Sequence, residues 1–282
     1  MTSTTLPATT RAGGSTLARQ AFVALLLRDV RVLRKNLRQF VLRTVMQPLL
    51  FTFVFAYVFP KIGQGIGGAG GGRGPSFSTV LVPGLIAVAI IFQGIQAVAL
   101  PLVQEFSFTK EIEDRVLAPM PVKLVGFGKV VNGAMQAMLA AFVVFPIVLV
   151  VHAKGQEPDV NIANPLLFVL VLVLAAFLGA SLGLLIGTAV APQQVPLIFS
   201  IIVLPMTLLG CIYFPWSTLD PVPWLKYAVL VNPLVYMSEA MRSALTPDVP
   251  HMDVGVVLLA MVGVTALMLT QALRKFRQRV VV

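Results

Sequence analysis

Charged side chains cluster at one place in this chain. Within EFSFTKEIEDRVLAPMPVK stand Glu105, Lys110, Glu111, Glu113, Asp114 and Arg115, with Lys123 closing the stretch. Carboxylates and cations mixed at this density form ion pairs. No nucleophile stands beside a base and no acid–His relay crosses the apolar stretches, so the chemistry offered is docking by charge, not bond making. Lys110 to Ala118 holds good helix formers without Gly or Pro, and Pro119 and Pro121 end the run. The pattern fits a short charged helix covered by a partner, and it equally fits a solvated loop.

Other chemistries find little support. Cys211 is the only cysteine, which excludes an internal disulfide, and with His152 and His251 it makes a poor metal-ligand set. The phosphate-binding pattern G-x-x-x-x-G-K-[ST] is missing. The one Gly-Lys pair, Gly128-Lys129, is followed by Val130 and has Lys123 where the first Gly should be.

The chain around these charges is apolar. Of 282 residues, 57% are hydrophobic and 11% charged, with a mean hydropathy of +0.91. A soluble globular chain carries about 25% charged residues, so this is a membrane protein. Six apolar stretches approach the ~20 residues a helix needs to cross ~30 Å of hydrocarbon. They are about Phe40–Pro60, Ser78–Val103, Lys129–Val151, Pro165–Val190, Leu197–Pro215 and Val254–Leu273, within a transmembrane domain over 39–273. One charge at mid-bilayer costs about 2.5–3.5 kcal/mol, so the island at 105–123 must lie in water between the second and third stretches.

An even number of spans puts both termini on the side of this island. That side carries sixteen of the 21 Lys and Arg residues; the other carries Lys61, Arg73, Lys154, Lys226 and Arg242. The basic side is expected to be cytoplasmic and to meet anionic lipid. Nucleic acid is not expected as a partner of the +10 net charge, because no soluble domain offers a binding face. Residues 1–15 read as a disordered cytoplasmic tail without the apolar core of a signal peptide, and 274–282 as a basic cytoplasmic tail.

Residues 16–38 read as an amphipathic helix. At roughly 100° per residue, Arg28, Arg31, Arg34, Lys35 and Arg38 share one third of the circumference, opposite Phe22, Leu25, Leu26 and Leu33. Such a helix lies in the membrane interface. The stretch 216–248 is too proline-rich for a straight span and too apolar for an ordinary loop. Trp216 and Trp224 suit an interface, Asn232-Pro233 starts a helix, and Glu239 and Arg242 can pair across one turn, for a few tenths of a kcal/mol if exposed. Two short helices dipping into the outer leaflet explain it, as does a surface-lying pair. Gln47, Gln93, Gln96, Asn132 and Gln136 lie at span depth, as a candidate translocation path or as interhelical hydrogen-bonding groups. Gly179, Gly183 and Gly187 form a small-residue stripe suited to close helix packing.

Four features in order resemble the permease subunits of type-2 ABC exporters, the bacterial family that exports drugs, polysaccharides and glycolipids. They are the basic helix before the first span; Val82-Pro83-Gly84 followed by Glu105; Asp114-Arg115 with Pro119; and Phe214-Pro215, Trp224-Leu225, Asn232-Pro233-Leu234 and Glu239 with Arg242. The resemblance implies an all-α membrane protein with six transmembrane helices, an N-terminal interfacial helix and a re-entrant external hairpin between the fifth and sixth. It implies that Glu105, Lys110, Glu111, Asp114, Arg115 and Pro119 meet a separate ATP-binding subunit. Two such subunits would work with two permease copies, in a homo- or heterodimer. ATP and Mg would then be held on the partner, with no cofactor in this chain and no catalysis by it. The implied function is export of an amphipathic drug or lipid-like molecule across the bacterial plasma membrane. A lipid-linked glycan is the alternative within the family, and a passive channel or scaffold the alternative outside it.

Overall fold

The computed structural model describes residues 13–62, 75–106, 121–191, 194, 197 and 199–281. Helix is the only regular structure among them. Five helices are long and apolar enough to cross a membrane, which makes the chain an all-helical multi-pass membrane protein.

Helix α1 (Gly13–Lys35) ends at Asn36, whose φ of −104° and ψ of 20° leave the helical region. Arg38, expected on the same helix, therefore stands on α2 (Leu37–Lys61). Pro48 deprives α2 of a backbone donor, and Thr52 Oγ1 donates to the Pro48 carbonyl at 2.7 Å. A wider π turn follows over Phe53–Val58. α3 (Phe77–Gln104) is capped by Ser76, whose hydroxyl accepts from the Thr79 amide. α4 (Val122–Val150) starts at the extended Pro121, well before the Lys129 at which the apolar run begins. α5 (Pro165–Ala189) has Asn164 as its cap and Pro165 in the first turn, where a missing N–H costs nothing.

The fifth apolar stretch, Leu197–Pro215, is not one long helix among the described residues. A π turn over Phe199–Val203 leads into α6 (Leu204–Leu208). Pro205 lies in its first turn, and Cys211, at φ 51°, turns the chain away from the helical direction. α7 (Pro223–Ala228) and α8 (Pro233–Leu245) follow, joined by a 3-10 turn over Val229–Val231. α9 (Val254–Val281) closes the fold. It runs on through residues 274–281 of the basic tail. The reason is visible in its stripe: Val257, Met261, Thr265, Ala272 and Phe276 recur at helical spacing, all buried, and no Gly or Pro follows Gly263.

α3 is the buried post of the molecule, and α5 lies against it through the glycine stripe. A Cβ on Gly94 would stand 2.7 Å from the Gly179 carbonyl carbon, and one on Gly183 would stand 2.9 Å from backbone atoms of Gly94 and Ile95. In hydrocarbon, where apolar side chains gain little by meeting one another, such backbone proximity is a main source of attraction. The helix ends sort into two faces. Phe77, Gln156, Asp159, Asn161 and Leu245 meet at one, where the Asp159 amide donates to Thr79 Oγ1 and the Asn161 amide to the Leu245 carbonyl, both at 2.9 Å. Phe106, Gly126 and Phe276 meet at the other.

Gly183→Val should separate α3 from α5. Overpacking of this kind typically costs about 1–3 kcal/mol, and the variant should melt below wild type in detergent. Gly263→Val, where an added Cβ meets nothing within 4 Å, should melt as wild type does.

Candidate functional site

Toward the Phe106 face, α2, α3 and α4 turn polar side chains toward one another. Thr44 Oγ1 donates to Gln93 Oε1 at 3.2 Å. Gln93 Nε2 reaches Gln136 Oε1 and Gln136 Nε2 reaches Asn132 Oδ1, each at 3.5 Å. Lys129, one turn before Asn132 on the same face of α4, pairs with Glu105 just past the end of α3. Both charged groups are buried. The ladder spans three helices because residues 129, 132 and 136 share one face of α4 at helical spacing.

Glu105, Lys129, Asn132 and Gln136 of this ladder form one wall of a cleft of about 440 Å³. α1 supplies the facing wall through Arg28, Asp29 and Leu33, and Asn36, Phe40, Arg43 and Pro101 complete it. Arg28 pairs with Asp29 at 3.6 Å. The cleft thus combines carboxylates, cations, amides and apolar carbon. Gln96 lines an adjoining recess with Arg43, Thr44 and Gln93.

α1 holds its place by its other end. Phe22 stacks on Phe127 of α4 with ring centroids 6.3 Å apart, and Ala18, Ala21 and Leu25 pack on the core. Arg28, Arg31, Arg34, Lys35 and Arg38 are all exposed. Val30 and Val32 are exposed as well.

The stretch after α6 carries a second buried ion pair. Glu239 and Arg242 of α8 pair across one turn with their side chains fully buried. The few tenths of a kcal/mol expected for an exposed pair do not apply here, because α8 is covered on nearly every side. Glu239 Oε1 also accepts from the Trp216 amide and Oε2 from the Met252 amide, both at 2.9 Å. Arg242 Nη2 donates to the Cys211 carbonyl at 3.0 Å. One carboxylate and one guanidinium thus tie residues 211–216 and the start of α9 to α8. Asn232 caps α8 through the Leu234 amide, and its Nδ2 donates to the Met206 carbonyl at 2.7 Å. Trp216 donates its indole N–H to the Lys226 carbonyl at 2.9 Å, under the Lys226 ammonium, while Trp224 is exposed. Gly84 has a physical reason in this arrangement: a Cβ there would stand 2.5 Å from the Ile212 carbonyl oxygen.

The structure therefore brings Gln93, Asn132 and Gln136 into one ladder, with Gln96 beside it. Gln93 and Gln136 bond across helices, and Asn132 and Gln136 line the cleft. The side chain of Gln47 and residues Lys110, Glu111, Asp114, Arg115 and Pro119 lie outside the described residues. Sequence reasoning missed Thr44 and Arg43 and did not assign Lys129 to Glu105. A single cation at helical spacing from Asn132 and Gln136 was the available signal.

Removing one member of the Glu105–Lys129 pair leaves a buried charge, a loss typically of about 3–5 kcal/mol. Lys129→Met should lower the melting temperature in detergent sharply. The double variant Glu105→Gln/Lys129→Met should recover most of that loss, and additive effects would argue against direct pairing.

A family model described as ABC-2 type transporter matches residues 20–246, which takes in most of α1, the polar ladder, the cleft and the Glu239–Arg242 pair. No curated protein sequence matches the chain. With the family pattern laid over most of a five-helix apolar body, the chain belongs to the ABC-2 type transporter family as a membrane-spanning permease component.

Proposed function

We propose that the chain is the permease of an ATP-driven exporter that carries an amphipathic drug or lipid-like molecule out of the cytoplasm or inner leaflet. The observation that supports this reading is the cleft between α1 and the polar ladder. It offers apolar carbon from Leu33 and Phe40 to a tail, and amides and charges from Asn132, Gln136 and Arg43 to a head. Its lining includes Glu105, the first residue of the charged island. The basic excess makes that face cytoplasmic.

In this reading α1 lies along the inner leaflet with Arg28, Arg31, Arg34 and Lys35 toward headgroups. The stretch around α6 serves as the fifth of six spans, and α7 and α8 form a re-entrant hairpin on the outer side. Their loose backbone groups meet the covered setting such a segment requires in Asn232, Glu239 and Arg242. Two permeases and two ATP-binding subunits make the working unit in a bacterial plasma membrane. ATP and Mg sit on the partner, since this chain has no phosphate-binding loop. The residues from Lys110 to Pro119 supply the contact through which hydrolysis drives the permease.

The test is ATP turnover of the complex reconstituted in phosphatidylethanolamine–phosphatidylglycerol vesicles. Two probes are used, a rhodamine ester as amphipathic cation and a short-chain fluorescent phosphatidylglycerol. Wild type should be stimulated by at least one of them. Arg115→Glu should assemble but lose about tenfold or more of the stimulation, a change of about 1.4 kcal/mol or more. That exceeds the value of about 1 kcal/mol or less for an exposed pair. Lys154→Glu, on the opposite face, should behave as wild type. Equal stimulation of all three would reduce the island to a solvated loop.

A further inference from the structure

The last turns of α9 do more than carry charge past the membrane. Phe276 is fully buried, and its ring lies 6.1 Å from that of Phe106, the second residue of the charged island. The same ring faces α4 just after the island, where a Cβ on Gly126 would stand 2.9 Å from it. One phenyl group thus touches the chain near both ends of the island.

Arg279 lies one turn further on. Its Nη1 donates to the carbonyls of Gly187, Thr188 and Val190 at 3.3, 2.7 and 3.2 Å. These belong to the last turn of α5, where carbonyls have no partner within the helix and carry its negative pole. The guanidinium also stands 4.5 Å over the Phe106 ring. Arg274, Lys275 and Arg277 on the same helix are exposed.

We propose that Phe276 and Arg279 form an anchor that locks the end of α3, the start of α4 and the end of α5 into one rigid unit, with Arg279 a positioning residue for energy coupling. A push on the chain between Phe106 and Pro121 then moves three membrane helices together instead of bending the ends of two. α9 is the strut that transmits it. The coupling role rests on the exporter reading above; the rigid anchor does not.

Pulsed electron paramagnetic resonance between nitroxides at Lys123→Cys and Gln278→Cys tests it, since both positions are exposed. In wild type the distance should be single and narrow, and unchanged between ATP-free and vanadate-trapped complex. Arg279→Gln should broaden it and abolish the permease-dependent rise in ATP turnover while the subunits still co-purify. Arg279→Lys, which keeps a cation over Phe106 and one donor for the carbonyls, should restore part of both. Arg277→Gln should match wild type. A narrow distance and normal turnover in Arg279→Gln would overturn the proposal, as would a wild-type distance that shifts on trapping. Failure of both Arg279 variants to assemble would make Arg279 a folding residue and reject the positioning role. If the wild-type permease binds no ATP-binding subunit, the exporter reading falls, and the narrow-to-broad contrast in the permease alone still decides the anchor.

Discussion

An apolar medium cannot hydrate a charge or a backbone carbonyl, and each one placed there must find a partner within the protein. The architecture follows from that constraint. Glu239 and Arg242 satisfy each other and reach three backbone groups of the broken segment around them. Asn232 spans the gap left where α6 ends and α8 begins. Arg279 covers the open carbonyls at the end of α5. Lys129 stands two turns inside α4 because Glu105 lies opposite.

Between these polar closures, the body is held by shape. Gly94, Gly179 and Gly183 let α3 and α5 touch backbone to backbone, and Gly84 lets the chain after α6 cross α3. α2 and α1 lack such contacts and carry many exposed apolar side chains, Leu42, Leu50 and Phe53 among them. A rigid post of α3, α4, α5 and α9 therefore stands beside a more loosely attached pair, and the cleft lies on the seam between them. That is a natural place for a substrate to separate helices without disturbing the core.

Much of this was legible in the sequence, for reasons that differ by element. All five of the long helices could be read from hydropathy alone, because length and apolarity decide crossing. The glycine stripe was legible because a four-residue spacing fixes one helix face. The fifth stretch was not, since Leu197–Pro215 is apolar enough to cross, and its break at Gly210 and Cys211 comes from packing under Gly84 and against Leu234. That α9 continues to Val281 was not legible, because its basic residues mask the stripe that ends in Phe276. The amides could be singled out for their depth, but which of them meet depends on the rotation of three helices. The value of the Glu239–Arg242 pair depended on burial, which spacing does not report.

The central claim is that this permease moves an amphipath at the expense of ATP hydrolysed on a partner. The most direct measurement is uptake of the rhodamine ester and the short-chain fluorescent phosphatidylglycerol into inside-out vesicles holding permease and ATP-binding subunit, with and without ATP. The account predicts ATP-dependent accumulation of at least one probe, lost when either chain is omitted. Movement of the probes at the same rate without ATP or without the partner would identify a passive pore and contradict the account.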